Sequence, residues 1–471
     1  MHFKTIFKSL KNKDMMKRLL VVLGILVVCR FLAHVPVPIG DAATFKEAIQ
    51  NLISKSDFGN FLNLVSGGSL AELSIIMVGL SPYITASIVI QLLTKAIPRL
   101  EELSEDGESG RRKINQWTRM LSVPLAVIQS FAFVFILYQS TAAANTTAFT
   151  PTSTNWLLSI TAMTAGSLIL MWLGELITEQ GIGNGISMVI FLSIISKLPT
   201  RAAVLGVSLF DTSAGTLSLF GWLNLPVNPT SFFIILGFIL ATIIVFYFLI
   251  KINEAQRIVT INYAKRVHGN SSYGGINSIL PIKLIAAGVV PVIFATAFLS
   301  MPALIGQLLQ SFDPGNQLGT QLTAIFSAPS QANFRSLYPD GITGQWFVYP
   351  TLYFALVVAF TYFYTSIIFN TKEIADNLQK QGGFIEGVRP GLTTANYLSQ
   401  LVTRLNLFGA FALGIIAMLP FITDYVFIIT TGSPVGLSIS GTGLLIVVTV
   451  ALENLRQLNS RALMVTYDDY Q

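Results

Sequence analysis

The chain has 471 residues, of which 52% are apolar and 11% charged, and a formal net charge of +6 at pH 7. Against roughly 25% charged residues in an ordinary soluble domain, this balance excludes a water-soluble globular protein and points to the membrane. The single cysteine, Cys29, excludes an internal disulfide framework, and three scattered histidines, His2, His34 and His268, offer no metal-ligand spacing.

The first element, "MHFKTIFKSLKNKDMMKRLLVVLGILVVC", is a basic segment followed by an apolar core, the pattern of a signal peptide. Val28 is a poor cleavage position and Arg30 follows at once. The expectation is an uncleaved first span that acts as its own targeting signal. A spanning helix needs about 20 apolar residues, and that pattern recurs, for example over 75–97 and 347–368. Read against the polar breaks, the apolar runs predict ten spans, centred near residues 26, 86, 129, 165, 196, 240, 293, 358, 415 and 447. An even number of spans puts both termini on one side.

Basic residues choose that side, because cytoplasmic loops collect Lys and Arg. With the N-terminus inside, 23 of the 29 Lys and Arg fall on inner segments and five on outer ones (Lys46, Lys55, Lys197, Arg201 and Arg335). Both termini are therefore predicted to be cytoplasmic. Outer loops such as "TAAANTTAFTPTSTN" (141–155) are polar connectors. Two inner loops differ in kind. In "RIVTINYAKRV" (257–267), Val259, Ile261 and Tyr263 alternate with polar or small residues, which is strand periodicity, and "GNSSYGG" reads as a turn. In "TKEIADNLQKQGG", Ile374 stands four residues before Leu378, a helical spacing, and Gly382 and Gly383 mark the stop. "VRPG" then makes a second projecting turn. Projecting basic structure beside a membrane fits a large anionic partner or a docking ATPase.

Ionisable residues inside spans cost about 2.5–3.5 kcal/mol at a helix centre, so each one asks for a function. Few occur here. Arg30 lies near an outer end, Glu175 and Glu453 near inner ends, and Asp424 near an outer end. There is no HExxH, no GxSxG, no P-loop and no intramembrane aspartate pair, so neither catalysis nor a cofactor is expected. The "GIGNGIS" stretch (181–187) joins spans four and five as a tight hairpin, where Gly181 can end one helix and Asn184 or Ser187 can cap the next. "NLVSGGSLAEL" (63–73) is apolar but too short and glycine-broken to cross a bilayer. By composition it fits a surface-lying loop as well as a half-helix.

Eight blocks in order, "HVPVPIGD" (34–41), "NLVSGGSL" (63–70), "GLSPYITASIVIQLLT" (79–94), "MWLGELITEQGIGNGIS" (171–187), "INYAKR" (261–266), "GVVPVIFA" (288–295), "GGFIEGVRPG" (382–391) and "GTGLLIVV" (441–448), resemble the SecY family, the central subunits of protein-conducting channels. The resemblance implies an all-α polytopic membrane protein of ten transmembrane helices. They form two pseudosymmetric inverted halves, residues 1–200 and 201–471, around a central hourglass pore, with cytoplasmic loops at about 251–283 and 370–404. No self-similarity between the halves is visible in the sequence itself.

It further implies an apolar pore ring formed by Leu80, Ile84, Ile190, Ile194, Ile293 and Ile446, a plug half-helix at about 58–74 that includes Leu64, Val65, Ser66, Gly67, Gly68, Ser69 and Leu70, and a lateral gate tuned by Thr85, Gln129 and Ile285. The gate would be formed chiefly by spans two and seven. On spacing alone, Leu80/Ile84 and Ile190/Ile194 equally fit core packing or lipid contact. Lys265, Arg266 and Arg389 match positions that meet the SecA ATPase or the ribosome, including its rRNA. Two departures stand out: Ile285 where the bacterial pattern often has Asn, and Glu386 where Pro is usual. The implied partners are SecE-type and SecG-type subunits, signal sequences, nascent polypeptides and membrane lipids, in the cell membrane. A secondary transporter with broken helices is the rival class, argued against by the sparse intramembrane charge.

Overall fold

The computed structural model describes residues 13–37, 74–143, 153–181, 183–196, 228–263, 266–268, 271–273, 277–327 except 286 and 314, 347–431 and 437–468, with short pieces between 199 and 225. Thirteen helices stand out among these residues: α1 (Lys13–Leu32), α2 (Ser81–Ala96), α3 (Pro98–Glu105), α4 (Glu108–Ala143), α5 (Ser153–Gln180), α6 (Gly185–Ile195), α7 (Pro229–Glu254), α8 (Val290–Phe312), α9 (Gln317–Phe326), α10 (Val348–Ile368), α11 (Thr371–Lys380), α12 (Leu392–Thr431) and α13 (Leu437–Asp468). Six helices among the described residues are long and apolar enough to cross a membrane by length and composition. Helix α1 opens with Lys13, Asp14, Lys17 and Arg18 ahead of its apolar stretch.

Nine of the ten expected span centres fall inside helices, and the centre at 196 falls on the residue that caps the C-terminus of α6. One apolar run departs from its reading. Residues 75–97 are apolar enough for one continuous helix, yet α2 begins only at Ser81. The preceding stretch is a chain of turns, tied down by Met77 N–H to Ser74 O at 2.9 Å and Gly79 N–H to Ile76 O at 2.9 Å. Pro82, in the first turn of α2, favours a fresh helix start at this point.

Packing divides the helices by contact. Helices α1, α2, α4, α5 and α6 pack on one another, and so do α7, α8, α10, α12 and α13. The two groups meet chiefly along two lines, α6 against α13 and α8 against α2 and α4. Close backbone approach makes the first group tight. A Cβ on Gly185 would collide with the Gly174 carbonyl oxygen, and a Cβ on Gly166 with the Ile75 carbonyl, so α5 presses directly on α6 and on the turns before α2. Small residues allow this kind of contact in membranes, where packing rather than water exclusion drives association.

At one end of the bundle the helices carry a sheet. Strand β3 (Gln256–Tyr263) lies between β6 (Asn277–Lys283) and β7 (Gly383–Ile385), all antiparallel, with Ile261 opposite both Ser278 and Ile385. Strands β1 (Leu217–Leu219) and β2 (Leu223–Leu225) form one separate hairpin, and β4 (Arg266–His268) and β5 (Ser271–Tyr273) another. The alternation read from Val259 and Ile261 is the buried face of β3. The expected turn over "GNSSYGG" is corrected: Ser271–Tyr273 is strand, because Arg266 and His268 pair with Tyr273 and Ser271. Helix α11 is capped by Asn370, whose side chain accepts from Glu373 N–H. It stops at Gly382, whose φ of 72° is left-handed and suits glycine. Val259, Ile282 and Ile385 pack on Leu398 of α12, so that helix continues past the spans to hold the sheet.

Gly185→Ala is expected to destabilise the protein by about 1–3 kcal/mol, the cost of overpacking, read as a lower unfolding midpoint of the purified protein in detergent. Gly24, with nothing within 4 Å of a Cβ placed there, supplies the control. Equal midpoints for Gly185→Ala and Gly24→Ala would contradict the close α5–α6 contact.

Candidate functional site

The segment before α2 is irregular backbone at membrane depth, which is tolerated only where protein or a wet cavity receives it. Here protein receives it. Ile75 N–H donates to Val35 O at 3.0 Å, Ser74 Oγ to Leu32 O at 2.7 Å, and Ser167 Oγ of α5 to Gly79 O at 2.8 Å. These bonds fix Leu80 at the N-cap of α2 and Ile84 one turn on.

A second break positions the next pair. Gly181, with φ 68°, ends α5, and Asn184 caps α6 by accepting from Ile186 N–H at 3.1 Å and Ser187 N–H at 3.3 Å. Of the two cap candidates, Asn184 is therefore the one used. Thr178 Oγ1 accepts a further bond from Gly185 N–H at 2.9 Å. Ile190 and Ile194 follow on the buried face of α6. Helix α8 starts after Gly288 with Pro291 in its first turn, placing Ile293, and α13 supplies Ile446.

All six side chains are at most 8% exposed and belong to one continuous apolar cluster. Leu80, Ile84, Ile190, Ile194, Ile293 and Ile446, from four helices far apart in the sequence, share this cluster with many other buried residues of the bundle. Ile285 joins the same cluster.

The other expected gate residues sit on α2 and α4, the helices that meet α8. Thr85 Oγ1 donates within its own helix to Ser81 O at 3.0 Å. Gln129 is buried, and its Oε1 has no hydrogen-bond partner among the described residues. The plug residues Leu64, Val65, Ser66, Gly67, Gly68, Ser69 and Leu70 lie outside the described residues, as does Lys265. Arg266 opens β4, and Arg389 is exposed just beyond β7, its carbonyl accepting from Thr394 Oγ1 at 2.8 Å. The sequence reading treated these as two separate loops. The β3–β7 pairing ties the two loops together, while Arg266 stands on the separate β4–β5 hairpin.

Two polar groupings went unread. Arg119 of α4 pairs with Glu175 of α5 at 2.6 Å, with the glutamate side chain only 17% exposed, which explains how α5 tolerates an acidic residue near its end. Arg456 of α13 donates to Asn253 Oδ1 at 3.1 Å and to Asn253 O at 2.9 Å, covering the C-terminal end of α7. Lys283 is close by; burial and then the Arg456 guanidinium hold its ammonium below the usual lysine range, while Glu453 opposes them. Opposite charges near span ends were the only sequence signal for these groupings, and their partners lie tens to hundreds of residues away.

The SecY family model matches residues 74–455. Protein translocase subunit SecY of Streptomyces scabiei is 36% identical over 468 residues, covering 98% of each chain. The protein of the same name from Corynebacterium glutamicum is 36% identical over 470 residues, again covering 98% of each. Among solved structures, a protein-conducting channel matches with a TM-score of 0.55 at 19% identity, covering 93% of this chain and 91% of that one. Sec61 in the canine ribosome-channel complex matches with a TM-score of 0.52 at 17% identity, covering 93% and 91%. These two likenesses show the fold.

Arg119→Ala is expected to cost about 1–3 kcal/mol, because it leaves a half-buried carboxylate without its partner. Adding Glu175→Gln should restore more than half of that in thermal unfolding of the purified protein. A double variant no more stable than the single one would contradict the pairing.

Proposed function

The chain belongs to the SecY family of protein translocase subunits, membrane channels rather than enzymes, and we infer from that premise how its own residues work. It is a multi-pass membrane protein that acts in protein transport. In this reading Leu80, Ile84, Ile190, Ile194, Ile293 and Ile446 are the pore ring, closed around nothing at rest and around an unfolded polypeptide in transit. The supporting observation is that one buried apolar cluster gathers these six side chains from four helices.

The ring's chemistry fits a substrate of any sequence. Branched apolar side chains yield sterically and form no hydrogen bonds, so no one substrate sequence is held more tightly than another. Residues 58–74 are read as the plug, whose Gly67 and Gly68 each weaken a helix by about 1 kcal/mol relative to Ala and leave it free to move aside. The seam between α8 and the α2–α4 pair is read as the lateral gate, with Thr85, Gln129 and Ile285 setting its ease of opening. It admits signal sequences and apolar segments by partition toward lipid, where each Leu contributes about 0.3–0.6 kcal/mol. The groups 1–200 and 201–471 act as two halves that part along this seam.

The basic bias of the sheet-bearing end supports reading it, with both termini, as cytoplasmic, in a cell whose plasma membrane holds the protein. Lys265, Arg266 and Arg389 then form a docking face for SecA or a ribosome, which supply the energy. The β3–β7 pairing supports one shared face rather than two, since it joins the strand that precedes Arg266 in the chain to the strand that precedes Arg389. SecE-type and SecG-type subunits complete the complex.

Reconstituted with these partners in proteoliposomes, the protein is expected to conduct ions when a signal peptide is added, and to export a secretory chain driven by SecA. Arg389→Glu should lower that export about tenfold, the effect of roughly 1.4 kcal/mol lost at a docking charge. Coupled uptake of a small solute without peptide-induced conductance would favour a secondary transporter instead.

A further inference from the structure

At the end of the bundle away from the sheet, the seam between α4 and α8 is closed by rings that belong to none of the groups above. Phe131 and Phe135 stand four residues apart on one face of α4, their centroids 6.3 Å apart and nearly parallel. Trp156 of α5 buttresses this face, 5.7 Å from Phe131 and 5.9 Å from Tyr138. Across the seam, Phe312, the last residue of α8, stacks on Phe135 at 4.5 Å with 28° between the planes. Leu304 of α8 is buried beside Ala132, Phe133 and Ile136 of α4, with Leu308 packed against the same group.

Phe312 is held in place from its own side. Gln310 Nε2 donates to Thr323 Oγ1 of α9 at 2.9 Å, and Gly306 and Gly319 face each other with no slack for side chains. This end of α8 therefore moves only as a unit with α9. Yet Phe312 is 67% exposed, so only one side of its ring is committed to α4. Parting the seam must break the Phe135–Phe312 stack, and the freed ring faces offer an apolar surface to whatever helix enters.

We propose that Phe135 and Phe312 form a specificity-determining clasp that sets how apolar a segment must be to part α8 from α4 and enter the seam. The proposal rests on the lateral-gate reading. An aromatic pair of this geometry shifts an open-to-closed ratio by about two- to tenfold. One leucine in an entering segment is worth about twofold. The clasp therefore raises the admission threshold by about one to three leucines. Because the stack joins one residue on each side, removing either partner should have the whole effect.

The test uses the complete translocase in proteoliposomes and a series of secretory chains whose signal cores differ only in leucine number. Phe312→Ala and Phe135→Ala are each expected to admit signals with about one to three fewer leucines than wild type. The double variant should shift no further, and Phe312→Tyr, which keeps the stack, should behave as wild type. Phe312→Leu keeps apolar bulk without the ring and should give a smaller shift in the same direction, which covers the case of an alanine variant that fails to fold. An unchanged threshold in variants that still export a strong signal at wild-type rate overturns the clasp, as do additive shifts in the double variant. Failure of the wild-type protein to export even the strongest signal would instead overturn the channel reading beneath it.

Discussion

The whole arrangement depends on one constraint: backbone that leaves the helix inside a membrane must be satisfied by protein. This chain starts a helix late before Ser81 and turns back in a tight hairpin after Gln180, and both places are braced by α5. At the first, Ser167 bonds the Gly79 carbonyl and Gly166 lets the Ile75 carbonyl lie against the α5 backbone. At the second, Thr178 and Asn184 take up N–H groups at the start of α6, and Gly174 admits Gly185. Helix α5 thus braces the starts of two other helices, α2 and α6. Leu80, Ile84, Ile190 and Ile194 lie buried along the two helices that begin at these braced points.

The second group of helices meets this frame through contacts of a different quality. Helix α6 meets α13, and α13 is tied in turn to α7 by the Arg456 guanidinium on Asn253. Helix α8 meets α2 and α4 through apolar and aromatic packing, and α4 also carries Gln129, whose Oε1 has no partner among the described residues. In a membrane, apolar faces that separate find lipid as an equivalent neighbour, so such packing opens at small cost. Charge-assisted bonds do not open so cheaply. The Arg456 bonds thus stiffen the second group internally, whereas the contact of α8 with α2 and α4 between the groups is apolar and aromatic. Strand β6 leads toward α8, and Leu284 N–H bonds Ala255 O at 2.9 Å just beyond it, so the sheet and α8 are one short segment apart.

Much of this was legible in the sequence, for identifiable reasons. Spans announce themselves because lipid demands about 20 apolar residues, and the alternation of Val259 and Ile261 announces a strand because its other face is wet. The Asn184 cap was legible because the cap chemistry is local. The late start of α2 was not, since residues 75–80 are as apolar as any helix and only Pro82 hints at a new start. Nor was β7, whose three residues are too few to show a period and which form a strand only because β3 is already there to pair with. The Arg119–Glu175 pair and the Phe135–Phe312 stack were invisible for the same reason: each joins helices that only the tertiary fold brings together. The waist was named by family resemblance; its residues are ordinary core residues by any local measure.

The central claim is that Ile84 and Ile293 face a path taken by a polypeptide. Cys29 is the only cysteine, so a Cys29→Ser background allows single cysteines to be placed at either position. With a secretory chain stalled partway and carrying one cysteine in its mature region, oxidation should join that residue to Cys at position 84 and at position 293. Cysteines substituted for Ile243 and Ile244, on the exposed face of α7, should stay unjoined. Cross-links at the α7 positions with none at 84 or 293 would contradict a path through the waist.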